Sequence, residues 1–162
     1  MRIPRLASLV CAALVFSYAL ATADEAKSIA VALNSFTFNA PKGKEDLLVY
    51  NEGEGKLCFY VNGTGEAKIN VPKDGDGDYE IVIKASCDKA LKEGAKFKVA
   101  VDGKPCGKET ETTDGEPKDY TFTTFVKAGE HKLAIEFTND VYKDGEYDRN
   151  LYVHAVSLKK VK

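Results

Sequence analysis

Tyr79-Glu80-Ile81-Val82-Ile83-Lys84-Ala85 decides the fold, because Tyr79, Ile81, Ile83 and Ala85 fall on one side of an extended chain and Glu80, Val82 and Lys84 on the other. Successive side chains of a strand point to opposite faces, so a period of two makes a strand with one face in the core and one in water. The alternation recurs at Phe97, Val99 and Val101, and again at Leu133, Ile135 and Phe137. These three segments supply the expected core: Ile81, Ile83, Phe97, Val99, Val101, Leu133, Ile135 and Phe137.

Outward from them, shorter apolar runs predict strands at 27–33, 47–50, 56–61, 67–71, 120–126 and 151–159, punctuated by Asn62-Gly63, Asp102-Gly103 and Ala128-Gly129. Short strands at regular spacing between turn residues indicate an antiparallel sandwich or barrel. Only 88–94 suggests a helical turn. In the last strand the apolar phase moves from Leu151 and Val153 to Val156 and Leu158, which a β-bulge near Ala155 explains.

Residues 1–23 read as a secretory signal peptide: Arg2 and Arg5 provide the positive start, Leu6 to Leu20 the apolar stretch, and Ala21-Thr22-Ala23 a cleavage site. That stretch is short for a membrane span. Residues 24–162 are then a single domain, secreted, extracellular or periplasmic, with no membrane contact after cleavage. Loss of Arg2 and Arg5 takes the net charge from -2 to -4. A mildly acidic chain without a basic stripe is a poor partner for nucleic acid.

Cys58, Cys87 and Cys106 remain after cleavage, an odd number that permits one disulfide. Export favours a pair, Cys87 with Cys106 in first place, against three buried thiols. No Gly-x-Ser-x-Gly elbow or Cys-His arrangement suggests a nucleophile, and His131 and His154 fall in strands, so no enzyme activity is expected. Asp74-Gly75-Asp76-Gly77-Asp78 fails as an EF-hand, with Tyr79 where Gly is needed and Ala85 where Glu is needed, and reads as a turn. Asn62-Gly63-Thr64 is a formal glycosylation sequon, but Asn-Gly between strands is first a hairpin signal.

The acidic loop in Phe137–Val153, FTNDVYKDGEYDRNLYV, is different in kind. Between two strands it concentrates Asp140, Asp144, Glu146, Asp148 and Asn150 around Gly145. Hard oxygen donors on an irregular loop suit calcium, which takes six to eight oxygens and tolerates uneven geometry. Any solvated loop can also look like this.

Asn139-Asp140, Tyr142 and the run Asp148-Arg149-Asn150-Leu151-Tyr152-Val153 resemble the binding loop of the calcium-dependent xylan-binding carbohydrate-binding modules of families 36 and 60. The preceding Ala128-Gly129-Glu130-His131-Lys132-Leu133 resembles the strand that leads into that loop. The resemblance implies an all-β fold, an antiparallel jelly-roll β-sandwich, and a non-catalytic protein whose partner is xylan or a related β-linked polysaccharide. It implies Ca2+ held by Asp140, Asp148, Asn150 and the carbonyl of Tyr147, with vicinal sugar hydroxyls completing the shell. Tyr142, Asp148 and Arg149 would face the sugar, although Arg149 reads better as a structural fork among loop carboxylates. The alternative is a secreted β-sandwich protein whose calcium loop is purely structural and which acts in protein-protein or cell-surface interaction.

Overall fold

The computed structural model describes residues 28–113 and 115–161. The expected signal peptide and its cleavage after Ala23 lie outside the described residues. Fourteen strands follow in order: β1 (Ser28–Ala30), β2 (Thr37–Asn39), β3 (Leu48–Asn51), β4 (Lys56–Phe59), β5 (Gly63–Val71), β6 (Gly77–Cys87), β7 (Lys96–Val101), β8 (Lys104–Pro105), β9 (Thr110–Glu111), β10 (Lys118–Val126), β11 (Gly129–Phe137), β12 (Tyr142–Lys143), β13 (Tyr147–Asp148) and β14 (Leu151–Lys160). One antiparallel sheet runs β10-β6-β14-β4-β3 with β1 beside β14, and the other runs β2-β5-β11-β7-β8 with β9 beside β7. The molecule is an antiparallel β-sandwich.

The alternating segments behave as their periodicity requires. Ile81, Ile83, Phe97, Val99, Val101, Leu133, Ile135 and Phe137 are all buried between the sheets. Edge-to-face rings lock the layers together: Phe97 of β7 meets Phe122 of β10 with centroids 5.7 Å apart, and Phe38 of β2 meets Phe59 of β4 at 5.8 Å. Each large apolar side chain buried here contributes roughly 1.5–3 kcal/mol. The β6–β14 ladder shifts register between Val153 and Ala155, which is the expected bulge.

Several local expectations give way to the tertiary structure. Residues 88–94 make no helical turn: Ala90 and Glu93 exchange main-chain hydrogen bonds of 3.2 and 3.0 Å across Leu91 and Lys92, whose φ values are 55° and 69°. Asn62-Gly63 closes no hairpin, since β4 and β5 belong to different sheets. Gly63 is there for close approach; a Cβ on it would lie 2.6 Å from Leu48 Cδ2 and 2.8 Å from the Asn39 carbonyl oxygen. No disulfide joins Cys87 to Cys106: Cys58, Cys87 and Cys106 are buried thiols. Burial pushes the Cys58 and Cys106 thiols up, away from the reactive thiolate. The acidic run before β6 does form a turn, with Gly75 N–H donating to Pro72 O at 2.8 Å and Tyr79 Oη to Gly75 O at 2.8 Å.

At the opposite end of β11, His131 Nδ1 lies 2.7 Å from Asp102 Oδ2 and Nε2 2.9 Å from Lys127 O. Both neighbours only accept, so both ring nitrogens donate and the ring is an imidazolium. The hydrogen bond to Asp102 leads in raising the His131 pKa, and the one from His131 leads in lowering that of Asp102. A raised histidine stabilises fully below its unfolded value, about 6.5, and its contribution is lost as pH rises through the folded value. A lowered aspartate stabilises above its unfolded value and loses that contribution as pH falls through the folded one. Thermal melts should therefore show a stability component present near pH 6 and lost as the pH is raised, worth roughly 1–3 °C for such a solvent-facing pair. His131→Gln should flatten it. An unchanged pH profile in that variant would assign the dependence elsewhere.

Candidate functional site

Strand register decides which loops meet. Phe137 at the end of β11 lies opposite Gly63 at the start of β5 and Phe97 near the start of β7, while Asn39 at the end of β2 lies opposite Thr64. The connections 40–47, 60–62, 88–95 and 138–150 consequently gather at one end of the sandwich. The long one, 138–150, crosses from β11 in one sheet to β14 in the other. Inside it β12 and β13 form a small hairpin, closed at Gly145, whose φ is 67°, with Tyr142 opposite Asp148.

Side chains from the neighbouring loops tie this connection down. Asp140 N–H donates to Asn62 Oδ1 at 2.7 Å. Asn139 accepts from Lys96 N–H at 2.6 Å and donates to Gly94 O at 3.0 Å. Arg149 is 4% exposed, and its guanidinium donates to Ala90 O at 2.6 Å, Asn139 O at 2.6 Å and Glu93 O at 3.3 Å. Its partners are main-chain carbonyls of two loops, with Glu93 Oε2 at 3.5 Å as the nearby carboxylate. Three of the five N–H donors of the guanidinium are thus taken up by main-chain carbonyls inside the fold.

Asn150 is 4% exposed. Its Nδ2 donates to Asp148 Oδ2 and Asp88 Oδ2, each at 3.0 Å. Its Oδ1 and Asp140 Oδ1 are buried with no hydrogen-bond partner. Burial, and then the charge of Asp148, hold the Asp140 carboxyl above the usual carboxylate range, against the opposing pull of Lys44 and Arg149. Asp140 thus feels the charge of Asp148 on one hand and those of Lys44 and Arg149 on the other. Among the described residues no group of three or more His, Cys, Asp or Glu side chains is arranged to hold a metal ion. The groups that could hold one are the Asp140 and Asp148 carboxylates, the Asn150 amide oxygen and the neighbouring main chain of half-buried Tyr147, all hard oxygens, and the two orphaned acceptors among them are of the kind a hard cation would satisfy.

Tyr142 is 64% exposed and donates its hydroxyl to Asp144 Oδ1 at 3.0 Å, so it stands at the rim. Asp144 and Glu146 are exposed, and Glu146 pairs with Lys143. Sequence reading missed Asn62, whose Asn-Gly signal pointed to a hairpin, and Asp88, which has no local signal because its partners lie 62 and 64 residues away. Beside the loop, an open groove of about 470 Å³ is lined by polar Asn39, Asn62, Lys98, Glu136 and Thr138.

The sequence profile of a Ca-dependent, xylan-binding carbohydrate-binding module family, family 60, matches residues 80–162. The chain belongs to carbohydrate-binding module family 60. No curated protein matches it. Solved structures share the fold at low identity. The first domain of family 36 from a multidomain xylanase of the Trinervitermes trinervoides hindgut metagenome superimposes with a TM-score of 0.61 at 12% identity, over 84% of this chain and 99% of that one. A family 35 module from Paenibacillus barcinonensis gives 0.55 at 15%, over 83% and 99%. A family 36 module solved with calcium and xylotriose gives 0.53 at 13%, over 81% and 97%. Membership of family 60 makes this a carbohydrate-binding protein, and residues 28–79, ahead of the matched region, complete both of its sheets.

Proposed function

We propose that this family 60 protein is a secreted, non-catalytic module that binds xylan or a related β-linked polysaccharide through a calcium ion held by the 138–150 loop. The observation that carries this reading is the pair of buried, unpartnered oxygens, Asp140 Oδ1 and Asn150 Oδ1. A buried acceptor without a donor costs about 1–3 kcal/mol, and a hard cation removes that cost. Asp140 and Asp148 would hold it with their carboxylates, Asn150 with Oδ1 and Tyr147 with its carbonyl. Calcium takes six to eight oxygens, which leaves positions that the vicinal hydroxyls of a sugar can chelate.

The chain's own residues do the rest. Asn62 fixes the main chain of Asp140, Arg149 fixes Asn139, and the β12–β13 hairpin holds Asp148 beside Tyr142. The chain has no Trp, so Tyr142 is the exposed ring on this loop that can pack against the apolar face of a sugar. The polar groove next to the loop has room for further units of a polysaccharide. Ser86 Oγ does lie 2.8 Å from His154 Nε2, but Ser86 is only 4% exposed, so no substrate carbonyl reaches it.

Titration calorimetry with xylan and with mixed β-linked glucans is the test. Binding should vanish with chelator and return with calcium. Calcium uptake without polysaccharide binding would establish the purely structural loop, and polysaccharide binding that survives chelation would overturn the metal mechanism.

A further inference from the structure

We propose that Asp88 and Tyr152 are positioning residues for the cation: they hold the side-chain amide of Asn150 so that its oxygen, and not its nitrogen, faces the site. The inference rests on the calcium reading above.

The orientation of Asn150 is fixed by chemistry. Its Nδ2 contacts Asp88 Oδ2 and Asp148 Oδ2, both 3.0 Å away. An ionised carboxylate only accepts, so the NH2 group must face these two oxygens, and a flipped amide would set Oδ1 against both. With Nδ2 pinned on one side, Oδ1 is directed to the other, where it is buried and without a partner. Asp148 alone is a poor anchor, since it is itself a ligand candidate on the loop. Asp88 comes from a different connection, between β6 and β7, and it is tied to Asn150 twice, because Asp88 N–H also donates to Asn150 O at 3.1 Å.

Asp88 is oriented in turn. Tyr152 Oη donates to the same Oδ2 at 2.5 Å. The ring is fixed by an edge-to-face contact with Tyr60, centroids 6.2 Å apart, and by Lys56 Nζ 4.2 Å from its centre. A chain of Tyr152, Asp88 and Asn150 thus runs from the outer face of one sheet to the orphaned oxygen. Residues one step removed from a metal ligand, which orient it in this way, typically control metal affinity by about 10–100-fold.

The experiment is terbium luminescence, sensitised by the protein's tyrosines, with calcium competition and no sugar present, alongside calcium calorimetry and thermal melts in chelator. Asp88→Ala should weaken calcium at least about tenfold. Tyr152→Phe, which keeps every charge, should weaken it in the same direction. Asp88→Asn retains an oxygen that can accept from Asn150 and should escape most of the roughly tenfold loss. Melting temperatures in chelator should match wild type for all three, because the network acts on the ligand and not on the core. Asp88→Ala or Tyr152→Phe with unaltered calcium affinity would overturn the inference. So would Asp88→Asn as weak as Asp88→Ala, or losses of affinity that track losses of folded protein in chelator. Wild-type protein that takes up no calcium would instead overturn the functional reading beneath it.

Discussion

Asp148→Ala should cost the proposed site most of its calcium affinity, and polysaccharide binding with it, while the sandwich stays folded. Asp148 is one of two carboxylates in the proposed donor set and also accepts from Asn150 Nδ2. Its removal takes away a formal charge, a ligand oxygen and half of what orients the amide. A loss of about 100-fold or more in calcium affinity, ~2.7 kcal/mol, is expected from a hard-cation site that loses one of its two charged ligands. The core side chains, such as Ile81, Ile83 and Leu133, are fully buried between the sheets and remote from this loop, so melting in chelator should barely change. Since the charge of Asp148 helps to hold the Asp140 carboxyl up, that carboxyl should move back toward its ordinary range in the variant, which a carbon-13 NMR titration reads directly. Calcium calorimetry showing wild-type affinity in Asp148→Ala would remove this residue from the site.

Arg149→Ala should be the most destabilising single change at this end of the molecule, by about 3–5 kcal/mol, because three main-chain carbonyls lose their donor at about 1–3 kcal/mol for each that stays buried and unsatisfied. The guanidinium is 4% exposed and donates to Ala90 O, Glu93 O and Asn139 O. Deleting it leaves those carbonyls without a charged donor and opens a void between two loops. It also releases the turn at Leu91 and Lys92, where two side-chain-bearing residues sit at φ 55° and 69°. A left-handed conformation costs such residues roughly 1–2 kcal/mol each and persists only where neighbours enforce it. Arg149→Lys should recover little, because a point ammonium cannot reach three carbonyls in the plane of the guanidinium fork. Urea unfolding followed by tyrosine fluorescence, in chelator so that calcium does not contribute, measures the effect. A loss below about 1 kcal/mol would mean that the clamp carries far less energy than three unsatisfied carbonyls should cost.

The layered β architecture was legible in the sequence because strand periodicity is local. Ile81 and Ile83 carry their inward direction in the residues on either side of them, and the bulge at Ala155 announces itself as a shift of phase. The oxygen-rich loop was legible for the same reason: Asp140, Asp148 and Asn150 lie within eleven consecutive residues. Partners are not local, and only the tertiary structure could supply them. Asn62 looked like half of a hairpin turn until β4 and β5 proved to belong to opposite sheets, which left its amide free to hold Asp140 N–H. Residues 88–94 looked helical because the sequence does not show that Arg149, 59 residues beyond Ala90, clamps both ends of that turn. Arg149 was read beside carboxylates because they are its neighbours in sequence, whereas burial against two loops placed main-chain carbonyls around it. The orientation of the Asn150 amide was settled last, by the carboxylates of Asp88 and Asp148. A side-chain amide looks the same from either end until acceptors from another loop choose which end points inward.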